Sequence, residues 1–243
     1  MEIIDGMTDG TLVINNDNDL LRTVKYNNVV TIGIDNDSDY MAKDIKDNIF
    51  SASFYIDGNY INIPVGSKAY VYNSLFAYAV GKLLNVPDEK IVKSLESVKR
   101  TARRLELIKH RNYQIIDDTY NASLDSVRNA LELLSKIDGR KVFIFGDILE
   151  ADNYAKEIHS EIGNIVVDKK IDVLLTVGKN TYYTYNVAND NGIECYHYDN
   201  NHDMLKELDK IINTGDTILV KGSLGMNMNE IVNYLKEFKN QLV

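Results

Sequence analysis

At 243 residues, with 44% hydrophobic and 26% charged side chains, 2 Pro and 14 Gly, the chain can build one large domain or two modest ones; it is not disordered, collagen-like or of low complexity. Lys+Arg 27 against Asp+Glu 36 give a formal net charge of −9, which argues against a broad nucleic-acid or anionic-membrane surface and leaves room only for local basic pockets. The single cysteine, Cys195, forms no internal disulfide. With no signal-peptide pattern and no apolar run near the roughly 18 residues that span a bilayer, a cytoplasmic chain without a membrane segment is expected.

Two rhythms divide the sequence near residue 98. In the first part, residues 12–15 and 29–34 are short apolar runs bounded by Asn, Asp and Gly, which predicts two strands. Residues 50–56, from Phe50, and 60–65 alternate apolar with polar around Asp57-Gly58-Asn59, which supplies the positive φ angles of a tight hairpin turn. Residues 69–84 place Tyr72, Leu75, Phe76, Ala79, Val80 and Leu83 at helical spacing, and Pro87-Asp88-Glu89 opens a second helix through Val98.

From Leu105 on, apolar strands alternate with amphipathic helices. Predicted strands at 114–117, 142–145, 173–177, 195–198 and 217–220 are each followed by a helix, at 123–135, 155–167, 181–189, 203–212 and 229–238. Continuous apolar strands between helices are what a parallel sheet covered on both faces requires. The expected fold is therefore α/β, a Rossmann-like doubly wound domain over residues 99–243, preceded over 1–98 by a smaller part with an antiparallel hairpin and helices.

Ligands of open parallel sheets bind beyond the carboxyl ends of the strands, so chemistry is sought there. The first such end reads Asp117-Asp118-Thr119-Tyr120-Asn121-Ala122-Ser123; its acids suit ribose hydroxyls or a cationic group, and the same residues serve equally to cap and turn. The second, Gly146-Asp147-Ile148-Leu149-Glu150, reads foremost as a turn. The third, Lys221-Gly222-Ser223-Leu224-Gly225, offers a lysine and small-residue backbone amides to an anion, or simply a tight turn. Arg103-Arg104, opening the parallel part, suits phosphate recognition or a surface salt bridge. His110, His159, His197 and His202 lack metal-ligand spacing, so no metal site is expected from them.

In order, these segments resemble the Mur ligases of peptidoglycan synthesis, in particular those members that couple D-alanyl-D-alanine to UDP-N-acetylmuramoyl-tripeptide. The resemblance runs through Asp9-Gly10 and Val13-Ile14-Asn15-Asn16-Asp17-Asn18, then Val71-Tyr72-Asn73-Ser74 and Arg104-Leu105-Glu106. It continues through Ile116-Asp117-Asp118-Thr119-Tyr120-Asn121-Ala122-Ser123, Gly146-Asp147-Ile148-Leu149-Glu150 and Lys221-Gly222-Ser223. It implies an ATP- and Mg²⁺-dependent amide-bond ligase acting through an acyl phosphate, with residues 1–98 part of the central ATP-binding domain and 99–243 the C-terminal domain. By the same resemblance Asn73 faces adenine, Arg104 reaches the nucleotide phosphates at the domain joint, Asp117 or Asp118 holds ribose, and Tyr120, Asn121, Lys221 and Ser223 lie near the incoming amine or phosphate.

The chain also departs from the family pattern. It contains no G-x-x-x-x-G-K-[ST] phosphate-binding loop, Ala69 stands where the family usually has His, and Leu124 where it has Pro. A lone chain is accordingly expected to be inactive, as a truncated product or a piece of a longer ligase, with a separately encoded N-terminal half as one candidate source of the missing part. The alternative is a noncatalytic substrate-binding or interaction module derived from such a ligase. A Rossmann-type oxidoreductase is disfavoured, because no G-x-G-x-x-G follows the first parallel strand.

Overall fold

Turn chemistry and apolar runs settle most of the elements. The computed structural model describes residues 2–48, 51–98 and 102–237, and the chain divides into two units, Met1–Lys99 and Arg100–Val243. Phe50 at the predicted hairpin start, Phe238 at the predicted last helix end and Lys99 at the expected domain boundary lie outside the described residues.

The first unit begins with a single helical turn, α1 (Glu2–Asp5), and then β1 (Leu12–Asn15), β2 (Val29–Gly33) and β3 (Tyr40–Met41), which form a three-stranded parallel sheet. A second sheet, antiparallel, joins β4 (Lys43–Asp47), β5 (Ala52–Ile56) and β6 (Asn59–Ile63). The β5–β6 turn is made by Asp57 and Gly58 at φ 48° and 79°, the positive pair that matches the twist of hairpin strands. Ala52, Phe54, Ile56, Ile61 and Ile63 face the core, while Tyr55 and Tyr60 pair on the exposed face. Helices α2 (Lys68–Leu83) and α3 (Asp88–Glu96) complete the unit.

The buried face of α2 differs from the predicted one. Val71, Ser74, Leu75, Tyr78 and Ala79 are buried, whereas Val80 and Leu83 are 44% and 41% exposed. Tyr78 takes the core position because its hydroxyl is satisfied, donating to Asp88 Oδ2 at 3.2 Å and accepting from Asn59 Nδ2 at 3.1 Å.

In the second unit β7 (Glu106–Lys109) and β8 (Gln114–Asp118) form an antiparallel pair, followed by α4 (Leu124–Ser135), β9 (Lys141–Gly146), α5 (Ala155–Asp168) and β10 (Val173–Val177). The chain ends through α6 (Thr181–Asp190), β11 (Glu194–Tyr198), α7 (Asn201–Ile211), β12 (Thr217–Lys221) and α8 (Asn229–Glu237). The six-stranded sheet has the order β11-β10-β9-β12-β8-β7, parallel throughout except β7. Alternate strand residues feed two cores: Ile116, Phe143, Phe145 and Leu219 meet α4, α5 and α6, while Ile115, Val142, Ile144 and Ile218 meet α7 and α8. This is the doubly wound architecture predicted from the sequence. Each such side chain contributes on the order of 1.5–3 kcal/mol of burial, so the strand positions are held firmly and their carboxyl ends are rigidly placed.

Candidate functional site at the strand ends

Strand β12, last in sequence, inserts between β9 and β8, which brings three predicted strand ends side by side. In register, Lys221 stands opposite Asp118 on one neighbour and Phe145 on the other. Lys221 is 2% exposed, and its Nζ donates to Asp118 Oδ2 at 2.5 Å and to the Asn121 carbonyl at 3.0 Å. The other Asp118 oxygen accepts from the Leu105 amide at 3.1 Å. Burial pushes the Asp118 carboxyl above its usual range, against the opposing pull of Lys221 and the Leu105 amide. Asp117 turns to its own strand end, with Oδ1 accepting from the Thr119 hydroxyl at 2.7 Å and the Thr119 amide at 3.2 Å.

The arginine pair divides its work. Arg103 donates from Nε to the Thr119 hydroxyl at 3.0 Å and from its guanidinium to the Thr119 carbonyl at 2.8 Å, which ties the segment before β7 to the end of β8. Arg103 and Leu105 both lie at positive φ, 64° and 50°, so the backbone folds back tightly here. Arg104 is exposed and lies over the Tyr120 ring, 4.1 Å from its centroid. Beyond them Ser123 and Ser126 form a reciprocal capping box at the start of α4, with Leu124 in the first helical position.

The β9 and β12 ends are locked to each other. The Ser223 amide donates to the Asp147 carbonyl at 3.1 Å, and the Ser223 hydroxyl accepts from the Leu149 amide at 3.0 Å. Asp147 caps α6, accepting from the amides of Asn180 and Thr181 at 3.0 and 2.7 Å. Gly178, at φ 110°, lies where a Cβ would fall 2.6 Å from that carboxylate. A Cβ at Gly222 would sit 2.8 Å from Met228 and 3.1 Å from the Gly146 backbone, so glycine there permits the close approach of the two strand ends.

Between these ends opens a cleft of about 190 Å³ lined by Tyr120, Asn121, Leu149, Glu150, Ser223, Leu224 and Gly225. It gathers three predicted residues, Tyr120, Asn121 and Ser223; Lys221 lies behind them, committed to Asp118. The predicted anion loop has its amides partly spent, since Met226 and Asn227 donate to the Ser223 and Leu224 carbonyls in a 3₁₀ turn and the Ser223 amide donates to the Asp147 carbonyl. Glu150, Arg103 and Asp147 carry parts of the site that residue-by-residue reasoning left unassigned. The signal for Asp147 was its position directly after a strand-ending glycine.

Asn73 lies in the first unit, exposed on α2. Beside it on the same helix, the Tyr72 hydroxyl donates to Asp17 Oδ2 at 2.7 Å. Asp17 also accepts from the amides of Ile34 and Asn36 at 2.6 and 2.7 Å. Burial works against the Asp17 charge, yet these donors outweigh it and hold the carboxyl far below the usual range, while burial and Asp17 raise the Tyr72 hydroxyl. His159 is fully buried, its Nε2 accepting from the Ile148 amide at 3.3 Å, and burial lowers it to about 4 despite the nearby Asp147. Among the described residues no group of three or more His, Cys, Asp or Glu side chains is arranged to hold a metal ion, and no helix is long and apolar enough to cross a membrane.

The same segments define the chain's relatives. Residues 103–224 match the family model described as Mur ligase, glutamate ligase domain. The UDP-N-acetylmuramoyl-tripeptide–D-alanyl-D-alanine ligase of Bacillus subtilis (strain 168) is 33% identical over 245 residues, 98% of this chain and 54% of the relative. That of Escherichia coli (strain K12) is 28% identical over 178 residues, 72% of this chain and 38% of the relative. Among solved structures, MurF from Acinetobacter baumannii superposes with TM-score 0.85 at 24% identity, over 96% of this chain and 52% of that one. MurF from Thermotoga maritima in complex with ADP gives 0.77 at 20%, over 94% and 53%. The chain thus spans between 38% and 54% of the length of these relatives, and at these identities the solved structures establish the fold alone. With its strand-end residues inside the matched region, the chain belongs to the Mur ligase family.

Proposed function

We propose that this chain is the C-terminal part of an ATP-dependent amide-bond ligase of peptidoglycan synthesis that joins D-alanyl-D-alanine to UDP-N-acetylmuramoyl-tripeptide. In this reading residues 1–98 belong to the central, nucleotide-binding domain and 99–243 form the C-terminal domain. The observation that carries the reading is the convergence of Tyr120, Asn121 and Ser223 around one cleft at the carboxyl edge of a parallel sheet. The name of the Bacillus subtilis relative supports the choice of substrates.

A carboxylate is a poor electrophile; transfer of a phosphoryl group from ATP makes it an acyl phosphate, whose phosphate then leaves when an amine attacks. In the second unit the residues fit a supporting part in nucleotide binding. Arg104 presents an exposed guanidinium with no ion pair among the described residues. Asp117 and Asp118 are 3% and 8% exposed, and each Asp118 oxygen already accepts one hydrogen bond, so a ribose hydroxyl would have to reach a remaining lone pair of a largely buried carboxylate. The described residues offer no cluster fit for Mg²⁺. With no P-loop motif in its 243 residues, the chain needs a polypeptide carrying that loop for turnover.

The test is a chimera in which this chain replaces the corresponding half of the Bacillus subtilis ligase, supplied with ATP, Mg²⁺, UDP-N-acetylmuramoyl-tripeptide and D-alanyl-D-alanine. The expected result is the dipeptide-extended product by mass spectrometry, and no product from the 243-residue chain alone. Turnover by the lone chain at a normal ligase rate refutes its dependence on a second part. A folded chimera that binds nucleotide yet makes no product favours the noncatalytic module instead.

A further inference from the structure

We propose that His159 is a positioning residue for the strand-end cleft: as an uncharged imidazole with its hydrogen on Nδ1, it holds the Ile148–Glu150 wall through the Ile148 amide. The proposal rests on the amide-ligase reading and adds to it a residue buried on α5, behind the cleft.

The hydrogens around the ring can be placed one by one. The Ile148 amide donates to Nε2 at 3.3 Å, so that nitrogen must offer a lone pair. The ring hydrogen is therefore on Nδ1, 3.3 Å from the Thr184 hydroxyl oxygen. That hydroxyl spends its own hydrogen on the His159 carbonyl at 2.8 Å, which leaves its oxygen to accept from Nδ1. Thr184 is fully buried, and it sets the tautomer, because the partner of one ring nitrogen fixes the role of the other. A second ring hydrogen would face the Ile148 N–H, so the tether requires the uncharged ring. The Phe145 ring lies 5.4 Å from that of His159, centroid to centroid, and limits its rotation.

The wall depends on tethers because its own backbone is strained. Leu149–Tyr154 form a 3₁₀ turn in which Asp152 lies at φ 43° and ψ −126°, outside the ordinary regions for a residue with a side chain. Asp147 is bound to the Asn180 and Thr181 amides, and the Leu149 amide to the Ser223 hydroxyl. Between them Ile148 is bound to α5, and Leu149 and Glu150 directly after it line the cleft. Through Thr184 the tether also reaches α6, which lies so close to α5 that a Cβ on Gly163 would fall 2.6 Å from Val187 Cβ.

The experiment is amide hydrogen exchange and ring-nitrogen NMR on the full chain at neutral pH, for the parent, His159→Leu, His159→Gln and Thr184→Val. The parent ring should report the Nδ1–H form. A buried amide without a partner opens more readily, so His159→Leu should speed exchange at Ile148 and Leu149 by about tenfold or more while β9 is unchanged. His159→Gln brings a carboxamide oxygen to the place of Nε2 and should keep the protection; Thr184→Val, which frees the tautomer, should lose part of it. In the chimera His159→Leu should raise KM for D-alanyl-D-alanine more than it lowers kcat, and His159→Gln should restore it. A hydrogen on Nε2, exchange accelerated equally in β9 and in the wall, equal exchange in His159→Leu and His159→Gln, parent-like exchange in Thr184→Val, or an unchanged KM in His159→Leu each overturns the proposal. Where His159→Leu does not fold, the ring tautomer and Thr184→Val decide. The ligase reading fails separately: a parent chimera without product rejects that reading, and exchange and tautomer still decide the tether.

Discussion

Replacing Lys221 by Met tests how the strand ends are held. The ammonium is 2% exposed, it bonds Asp118 at 2.5 Å, and the Asp118 side chain is itself 12% exposed. Met preserves the apolar stem but leaves a carboxylate in the interior without its counter-charge and the Asn121 carbonyl without its donor. Breaking one side of a buried pair costs about 3–5 kcal/mol, chiefly the desolvation of the orphaned charge. At a urea m value of about 2 kcal/mol/M the midpoint of this unit should fall by roughly 2 M. The chain has Trp 0 and Tyr 16, so far-ultraviolet circular dichroism or tyrosine fluorescence is the probe. The paired variant Asp118→Leu with Lys221→Met removes both charges and should unfold at higher urea than Lys221→Met alone, because the two sites are coupled. A loss below about 1 kcal/mol for Lys221→Met, or a paired variant that loses the sum of the single losses, refutes a buried ion pair as the link between β8 and β12.

The remaining expectations concern the supports around that pair. His159 is held at about 4 against an ordinary 6.5, so the unfolded chain binds the proton between those values. Stability is complete above pH 6.5 and should decline by up to about 3 kcal/mol as pH falls toward 4; urea midpoints across that range should flatten in His159→Gln. Gly178→Ala meets both a φ of 110° and the Asp147 carboxylate at 2.6 Å, and a loss of about 2 kcal/mol or more in urea unfolding is expected. In the first unit Tyr72→Phe removes a donor to an ionised Asp17 and should cost about 1.5–3 kcal/mol by the same measurement.

Legibility followed the source of each element's stability. Strand β10 was delimited at Val173–Val177 because an unbroken apolar run makes a strand buried on both faces. The β5–β6 turn was legible because Asp57-Gly58 has few other uses. Strand β4, Lys43-Asp44-Ile45-Lys46-Asp47, was missed because an edge strand with four charged residues shows no apolar alternation. Strand β7 was missed for a related reason: the segment from Leu105 reads as the opening of the parallel half, yet it returns antiparallel along the edge of β8. The parallel β1-β2-β3 sheet went unread because pairing partners are not local. At the site, position after a strand found Tyr120, Asn121 and Ser223. Which charges remain free was not legible, since the bond between Asp118 and Lys221 joins residues 103 apart in sequence.

That distant bond also constrains the topology. Parallel strands are buried on both faces, so apolar pattern alone distinguishes weakly between β12 inserted beside β8 and β12 added elsewhere on the sheet. A one-residue slip of β12 would exchange Ile218 and Val220 with Leu219 between the two cores, a substitution of similar volumes that packing penalises only modestly. The same slip would move Lys221 out of line with Asp118 and leave two opposite charges buried apart. The penalty for that is several kcal/mol, larger than the packing difference. Lys221 therefore acts first as the residue that fixes register at the place where the cleft is built. Its charge is consumed in doing so, whereas Glu150 in the cleft lining and Arg104 over the Tyr120 ring have no ion pair among the described residues.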